Sequence, residues 1–195
     1  MTESSTTTDR RIAVVIGSTR PTRICPEIAG WVLKTAQQNS RLTYEPVGLA
    51  EVALPFLDEP RKPALGQYEH EHTRRWSRTA SGYGGFLFVF SQYNWGYPAV
   101  LKNALDFLCA EWRDKPAAVA SCGTRGGNRA VAQLRGVLQG LHMRIIDQNL
   151  ELVVTDADVD EDEQLTDVAA TLQPFTGQVR LVDAQLTELL TDDQQ

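Results

Sequence analysis

Residues 11–26 read RIAVVIGSTRPTRICP, and this stretch decides the class of fold. Ile12 to Ile16 is an unbroken apolar run, as expected of a strand covered on both faces. A polar turn follows, Gly17-Ser18-Thr19-Arg20-Pro21-Thr22-Arg23, and a helix opens near Pro26, where Ile28, Trp31 and Val32 recur at helical spacing. Strand, short turn and helix are the first half of a βαβ unit.

The alternation continues outward. Phe86 to Phe90 and Ala117 to Ala120 are two further buried-strand runs, and a fifth strand is expected from about Met143 to Leu150. Leu42 to Val47 differs: Leu42 and Tyr44 alternate with Thr43 and Glu45, the period of a half-exposed edge strand. Helical spacing appears in Leu101, Ala104, Leu105, Leu108 and again in Val131, Leu134, Leu138, Leu141. Leu49 to Tyr68, with Pro55, Pro60 and Pro63, reads as a long loop before a helix around Glu69 to Ala80. The pattern predicts an α/β, flavodoxin-like three-layer sandwich: a five-stranded parallel sheet in order 2-1-3-4-5 with helices on both faces. Ligands in such folds bind at the carboxyl ends of the strands flanking the switch point, here the first and third. Toward the C-terminus, Leu165, Val168, Leu172, Phe175, Val179, Val182, Leu186 and Leu189 alternate steps of three and four, but Pro174 and Gly177 interrupt the seam. Interior proline costs about 3 kcal/mol, which favours a docked helix broken near Pro174 over a coiled coil.

Composition limits the function. The chain has 195 residues, 19 basic and 25 acidic, and a formal charge of −6. Asp156 to Glu163 carries six of the acids and no base; without it the two signs balance at 19 each. With no basic surplus, nucleic acid is excluded as a partner, and no apolar run approaches membrane-spanning length. Residues 1–9 are Ser/Thr-rich without an apolar core and read as a disordered tail, leaving 10–191 as a single domain. A domain of this size buries roughly 70% of its unfolded surface and needs no disulfide or metal. Cys25, Cys109 and Cys122 are odd in number and form no CxxC pair, consistent with a cytoplasmic protein.

Three loops could carry chemistry. Gly17 to Arg23 offers backbone N–H groups at a helix start, the hydroxyls of Ser18 and Thr19, and Arg20 or Arg23 to grip a phosphate; the alternative is an ordinary polar turn. It is neither a P-loop nor GxGxxG. Ser91-Gln92-Tyr93-Asn94-Trp95-Gly96-Tyr97-Pro98 crowds aromatics beside amides, which suits a flat heterocycle or, alternatively, loop and subunit packing. Ser121-Cys122-Gly123-Thr124-Arg125-Gly126-Gly127-Asn128-Arg129 lets backbone approach a ligand. Arg129 misses the Cys-x5-Arg phosphatase register, and there is no Gly-x-Ser-x-Gly elbow. His70, His72 and His142 form no metal pattern. Asp156, Asp158 and Asp160 imitate a calcium loop, but Glu161 and Asp167 hold its glycine and glutamate positions, so the run reads as a solvated helix start. Cys25, beside a helix N-terminus, has no assigned role.

Together these loops resemble the NAD(P)H-dependent FMN reductase family, whose members include quinone, azo-dye and chromate reductases. GSTRPTR with the following Pro26, Ala29 and Trp31 resembles its flavin-phosphate loop, QYNWGYPAVLKNALDFL its flavin-ring loop, and EWRDKPAAVASCGTRGGNRAVAQLR the stretch closing over the ring. The resemblance covers about Ile12 to Glu151 and implies FMN as cofactor, NADPH or NADH as co-substrate, and a homodimer or homotetramer. Ser18, Thr19, Arg20 and Arg23 would then hold the FMN phosphate. Gln92, Tyr93, Asn94 and Trp95 would line the ribityl chain and ring, and Ser121, Gly123, Gly126 and Gly127 would approach the ring. Arg125 would pair with the nicotinamide-cofactor phosphate. The chain departs from the pattern at Ser91 and Gln92, where the family commonly has Pro-Glu, at Thr22 and Cys25, where glycine is common, and at Cys122, where an aromatic is frequent. The implied activity is hydride transfer from NAD(P)H to flavin and on to a second small-molecule acceptor, with no side chain needed as acid or base. Competing readings are a flavodoxin-like electron carrier and an interaction domain without flavin.

Overall fold

The computed structural model describes residues 10–192; the tail expected over 1–9 lies outside the described residues. Five strands, β1 (Arg11–Ile16), β2 (Thr43–Gly48), β3 (Gly85–Ser91), β4 (Pro116–Gly123) and β5 (Arg144–Val153), pair in parallel in the order β2-β1-β3-β4-β5. The continuous apolar runs are the central strands: Phe86 to Phe90 is buried throughout, and so is Ala117 to Ala120. β2 is the edge, with Tyr44 and Val47 turned in and Thr43 and Pro46 out. Its Glu45 accepts from Arg11 Nε and Nη2 at 2.8 and 2.6 Å across the β1–β2 pair.

Each face of the sheet carries its own apolar layer. On one side α1 (Cys25–Gln37) lays Ile28, Ala29 and Val32 against the sheet. On the other, α3 (Glu71–Ser81), α4 (Ala99–Asp106) and α5 (Asn128–Gly140) supply Trp76, Leu101, Leu105 and Leu134. Two buried indoles there find carbonyl partners: Trp76 Nε1 donates to Ala104 at 2.9 Å and Trp112 Nε1 to Leu105 at 3.0 Å. Burying an indole is favourable only when its N–H is so satisfied.

Two segments differ from expectation. The proline-bearing loop begins with a short helix, α2 (Leu49–Val52), because Leu49 is drawn into the core, and it contains a 3-10 turn at Pro63–Leu65. The acidic run does not start a helix. Its carboxylates bond the local backbone instead: Asp158 and Thr155 cap a 3-10 turn over Asp156–Asp158, and Asp160 accepts from the amides of Asp162 and Gln164, both at 2.9 Å. Such side-chain-to-backbone bonds compete with helix. Helix resumes at α6 (Val168–Leu172), capped by Asp167, which accepts from Ala170 N at 2.9 Å. Pro174 then makes the expected break, a 3-10 turn at Gln173–Phe175, before α7 (Thr176–Asp192). α7 adds Val179, Val182 and Leu186 to the α1 layer and pins the sheet edge through Asp183, which accepts from Tyr44 at 2.7 Å.

Candidate active site

The loops following β1, β3 and β4 gather at the carboxyl edge of the sheet. Gly17 leaves β1 by donating to Val89 O at 2.8 Å; a β-carbon there would lie 3.2 Å from both Leu101 Cδ2 and Phe90 Cβ. Ser18 is fully buried, and its Oγ is 2.6 Å from the Tyr93 hydroxyl, so the first two loops are joined directly. Arg23 is half-buried beneath its loop. Its Nη1 donates to Arg20 O at 3.3 Å and its Nη2 lies 3.8 Å from Glu51, but its buried Nε has no partner. A buried charged donor without an acceptor costs roughly 1–3 kcal/mol or more, which an anion on this loop would relieve.

Arg20 points elsewhere. Its Nη1 meets Glu163 at 2.5 Å and its Nη2 donates to Thr22 O at 3.2 Å. Gln164 Nε2 also donates to Thr22 O at 3.2 Å, so the acidic turn folds back over this loop. Thr19 is exposed at the loop's outer side.

The second loop is a tight turn. Tyr93 and Gly96 exchange both backbone hydrogen bonds at 2.9 Å, and the residues between them, Asn94 and Trp95, have φ of 47° and 70°. Two successive left-handed residues that are not glycine are strained, and they persist only where surroundings impose them. α5 imposes them here: Gln133 Nε2 donates to Trp95 O at 3.3 Å, and the Arg129 guanidinium lies 3.6 Å over the indole. Gln92 returns the tie, its Oε1 accepting from Ala130 N at 3.1 Å. Trp95 remains 61% exposed, an open aromatic face.

The third loop is shaped by its glycines. Gly126 and Gly127 have φ of 70° and 77°; a β-carbon on Gly126 would sit 2.9 Å from Glu151 O, and one on Gly127 2.9 Å from Ser121 Oγ. Ser121 is buried and donates to Gly126 O at 2.5 Å, so its hydroxyl supports the loop from below. Gly123 is half-buried, and Arg125 is exposed without an ion-pair partner among the described residues. No group of three His, Cys, Asp or Glu among the described residues could hold a metal.

Glu163, Arg129 and Gln133 join the site without a role that the sequence assigns them. The i, i+4 spacing of Arg129 and Gln133 on one helix was available as a signal; nothing local announces Glu163, 143 residues from Arg20.

A doubly wound sheet with an arginine-bearing loop after β1 and an aromatic turn after β3 defines a flavodoxin-like protein. Comparison with known proteins narrows this. Residues 10–157 match the profile of the NADPH-dependent FMN reductases. The NAD(P)H-dependent FMN reductase C4B3.06c of Schizosaccharomyces pombe is 44% identical over 137 residues, 69% of this chain and 68% of its own. The NAD(P)H-dependent FMN reductase LOT6 of Saccharomyces cerevisiae is 40% identical over 147 residues, 70% of this chain and 77% of its own. In fold, the chain is similar to FerB, a flavoenzyme NAD(P)H:(acceptor) oxidoreductase from Paracoccus denitrificans, with a TM-score of 0.71 over 92% of this chain and 98% of that one at 22% identity. The chain belongs to the NADPH-dependent FMN reductase family and is an oxidoreductase of that FMN- and NAD(P)H-using kind.

Proposed function

We propose that residues 10–191 form one FMN-binding domain that passes hydride from NADPH or NADH to FMN and then to a second small-molecule acceptor. The observation that carries this reading is the buried Arg23 Nε without a partner, on the same loop as the buried Ser18 hydroxyl. Both fit the phosphate of FMN, with Arg20 and the Thr19 backbone completing the cradle. Tyr93, Asn94 and Trp95, with Gln92 behind them, would hold the ribityl chain and ring, and the glycine backbone at Gly123, Gly126 and Gly127 would meet the ring's edge, with Ser121 beneath. FMN, when bound, supplies the hydride-accepting and hydride-donating centre. The chain's own contribution is orientation: Gln133 and Arg129 hold the turn from α5, which lowers the ordering that binding requires. Arg125 and Arg129, neither in an ion pair among the described residues, would take the phosphates of the nicotinamide nucleotide.

A quinone is the second acceptor we favour, supported by the 28% identity over 145 residues to a 2-hydroxy-1,4-benzoquinone reductase of Burkholderia. The three free cysteines suit a reducing compartment such as the cytoplasm. A homodimer is supported by the loop after α2. Asn103 clamps it, donating to Pro55 O at 2.7 Å and accepting from Leu57 N at 3.0 Å, and thereby presents Phe56 at 85% exposure beside a groove of about 450 Å³ lined by Tyr97, Lys102 and Gln133. Held apolar side chains in the open mark an association surface. Phe56→Asp is therefore expected to shift the chain from dimer to monomer in sedimentation at micromolar concentration; an unchanged dimer places the interface elsewhere.

The test of the activity is a visible spectrum of protein incubated with FMN and desalted, followed by anaerobic NADPH and then NADH. Retained flavin that bleaches supports the reductase, flavin that neither nucleotide bleaches supports an electron carrier, and colourless protein removes the flavin reading. A smaller effect concerns Glu163. It occupies the Arg20 guanidinium that phosphate would use, and an exposed ion pair is worth about 0.2–1 kcal/mol, so Glu163→Gln is expected to tighten FMN binding by up to about fivefold in a fluorescence titration. Weaker binding would show that Glu163 holds the loop in its binding shape instead.

A further inference from the structure

Cys25, Ser91 and Cys122 come from three different elements: the first residue of α1, the last of β3 and the penultimate of β4. They meet at one point. Ser91 pairs in register with Cys122, and its Oγ lies 3.1 Å from the sulfur of Cys25 and 3.1 Å from that of Cys122. The two sulfurs therefore lie no further apart than twice that distance, with a single hydroxyl between them. Both thiols are buried, while Ser91 is partly exposed at the strand end and gives a small solute an approach.

The surroundings distinguish the two thiols. Cys25 begins a 13-residue helix, whose positive end favours a thiolate. Hydrogen bonding from Cys122 and from Ser91 holds the Cys25 thiol below its ordinary range despite burial. The same contact with Cys25, together with burial, pushes Cys122 well up. One sulfur is prepared to attack and the other keeps its proton until a second step. No part of the proposed hydride transfer uses either.

We propose that Cys25 and Cys122 form an oxidisable dithiol site that reacts with hydrogen peroxide and closes to an intramolecular disulfide. In the first step the Cys25 sulfur attacks one peroxide oxygen; an S–O bond forms, the O–O bond breaks, and one water leaves, giving a sulfenic acid. In the second, the Cys122 sulfur attacks the Cys25 sulfur; an S–S bond forms, the S–O bond breaks, and a second water leaves. The two thiols lose two electrons and two protons, and the peroxide takes up both. A thiol reductant reverses the change, as befits a cytosolic disulfide, which is transient.

The experiment treats the folded full chain with hydrogen peroxide, quenches it with catalase, alkylates in denaturant and measures mass. The expected result is loss of two of the three alkylatable thiols, a mass lower by two hydrogens before alkylation, and a peptide pair joined through Cys25 and Cys122 that dithiothreitol separates. Cys109→Ser should react identically. Cys122→Ala, its fold checked by circular dichroism, should form no disulfide and leave a Cys25 sulfenic acid that dimedone traps. Survival of all three thiols, oxidation confined to Cys109, or a disulfide that includes Cys109 overturns the proposal.

Discussion

Arg23→Ala is expected to weaken FMN binding by about 10- to 100-fold while leaving riboflavin binding unchanged. Hydrogen bonds to charged groups contribute about 1.5–3 kcal/mol, and each 1.4 kcal/mol is a factor of ten. Arg23 stands near the upper part of that range because its Nε is already out of water without a partner, so binding an anion there incurs little additional desolvation of the protein. Riboflavin shares the ring and ribityl chain of FMN but carries no phosphate, which isolates the contact. Fluorescence-quenching titration of both flavins reads the two affinities. Parallel losses for both would assign Arg23 to holding the loop through the Arg20 carbonyl rather than to the phosphate. Arg23→Lys should recover only part of the loss, since an ammonium keeps the charge but not the planar fork.

Gly126→Ala is expected to destabilise the protein by about 3 kcal/mol, against about 1 kcal/mol for Gly66→Ala. Both glycines lie in the left-handed region, at φ of 70° and 63°, so both substitutions meet the same backbone penalty. They differ in space. At Gly66 an added β-carbon meets nothing within 4 Å, whereas at Gly126 it meets the Glu151 carbonyl oxygen at 2.9 Å and carbon at 3.0 Å. Backbone held in the β4–β5 ladder cannot retreat as a flexible side chain can, so the overlap is added to the conformational cost. For a domain of this size the Gly126 variant should melt about 6–12 °C lower, and urea unfolding gives the same ordering. Equal losses at the two sites would mean that the turn shifts to accommodate the methyl group.

The strands were legible because burial on two faces demands continuous apolar runs, as in Phe86 to Phe90, and burial on one demands alternation, as in Tyr44 and Glu45. Pro174 announced its break for an equally local reason. The acidic turn misled because a dipole argument for Asp156 ignores the competing amides that Asp158 and Asp160 reach within their own turn. At the site, the placement of Ser18 and Arg23 on one turn was legible because strand, turn and helix fix where they stand. The Arg20–Glu163 pair and the Cys25–Ser91–Cys122 chain could not. They are set by which loops the finished sheet brings together, and composition and spacing carry no record of that.

With the carboxylate of Glu163 resting on Arg20, the proposed phosphate capture on this loop would be an exchange of one anion for another. Mobile ions screen the incoming phosphate and the resident carboxylate alike, so added salt weakens the attraction and the competitor together. Ionic strength should therefore depress flavin affinity less steeply than two arginines on a solvent-facing loop would suggest. A cell whose salt content fluctuates would find the occupancy of this site comparatively constant.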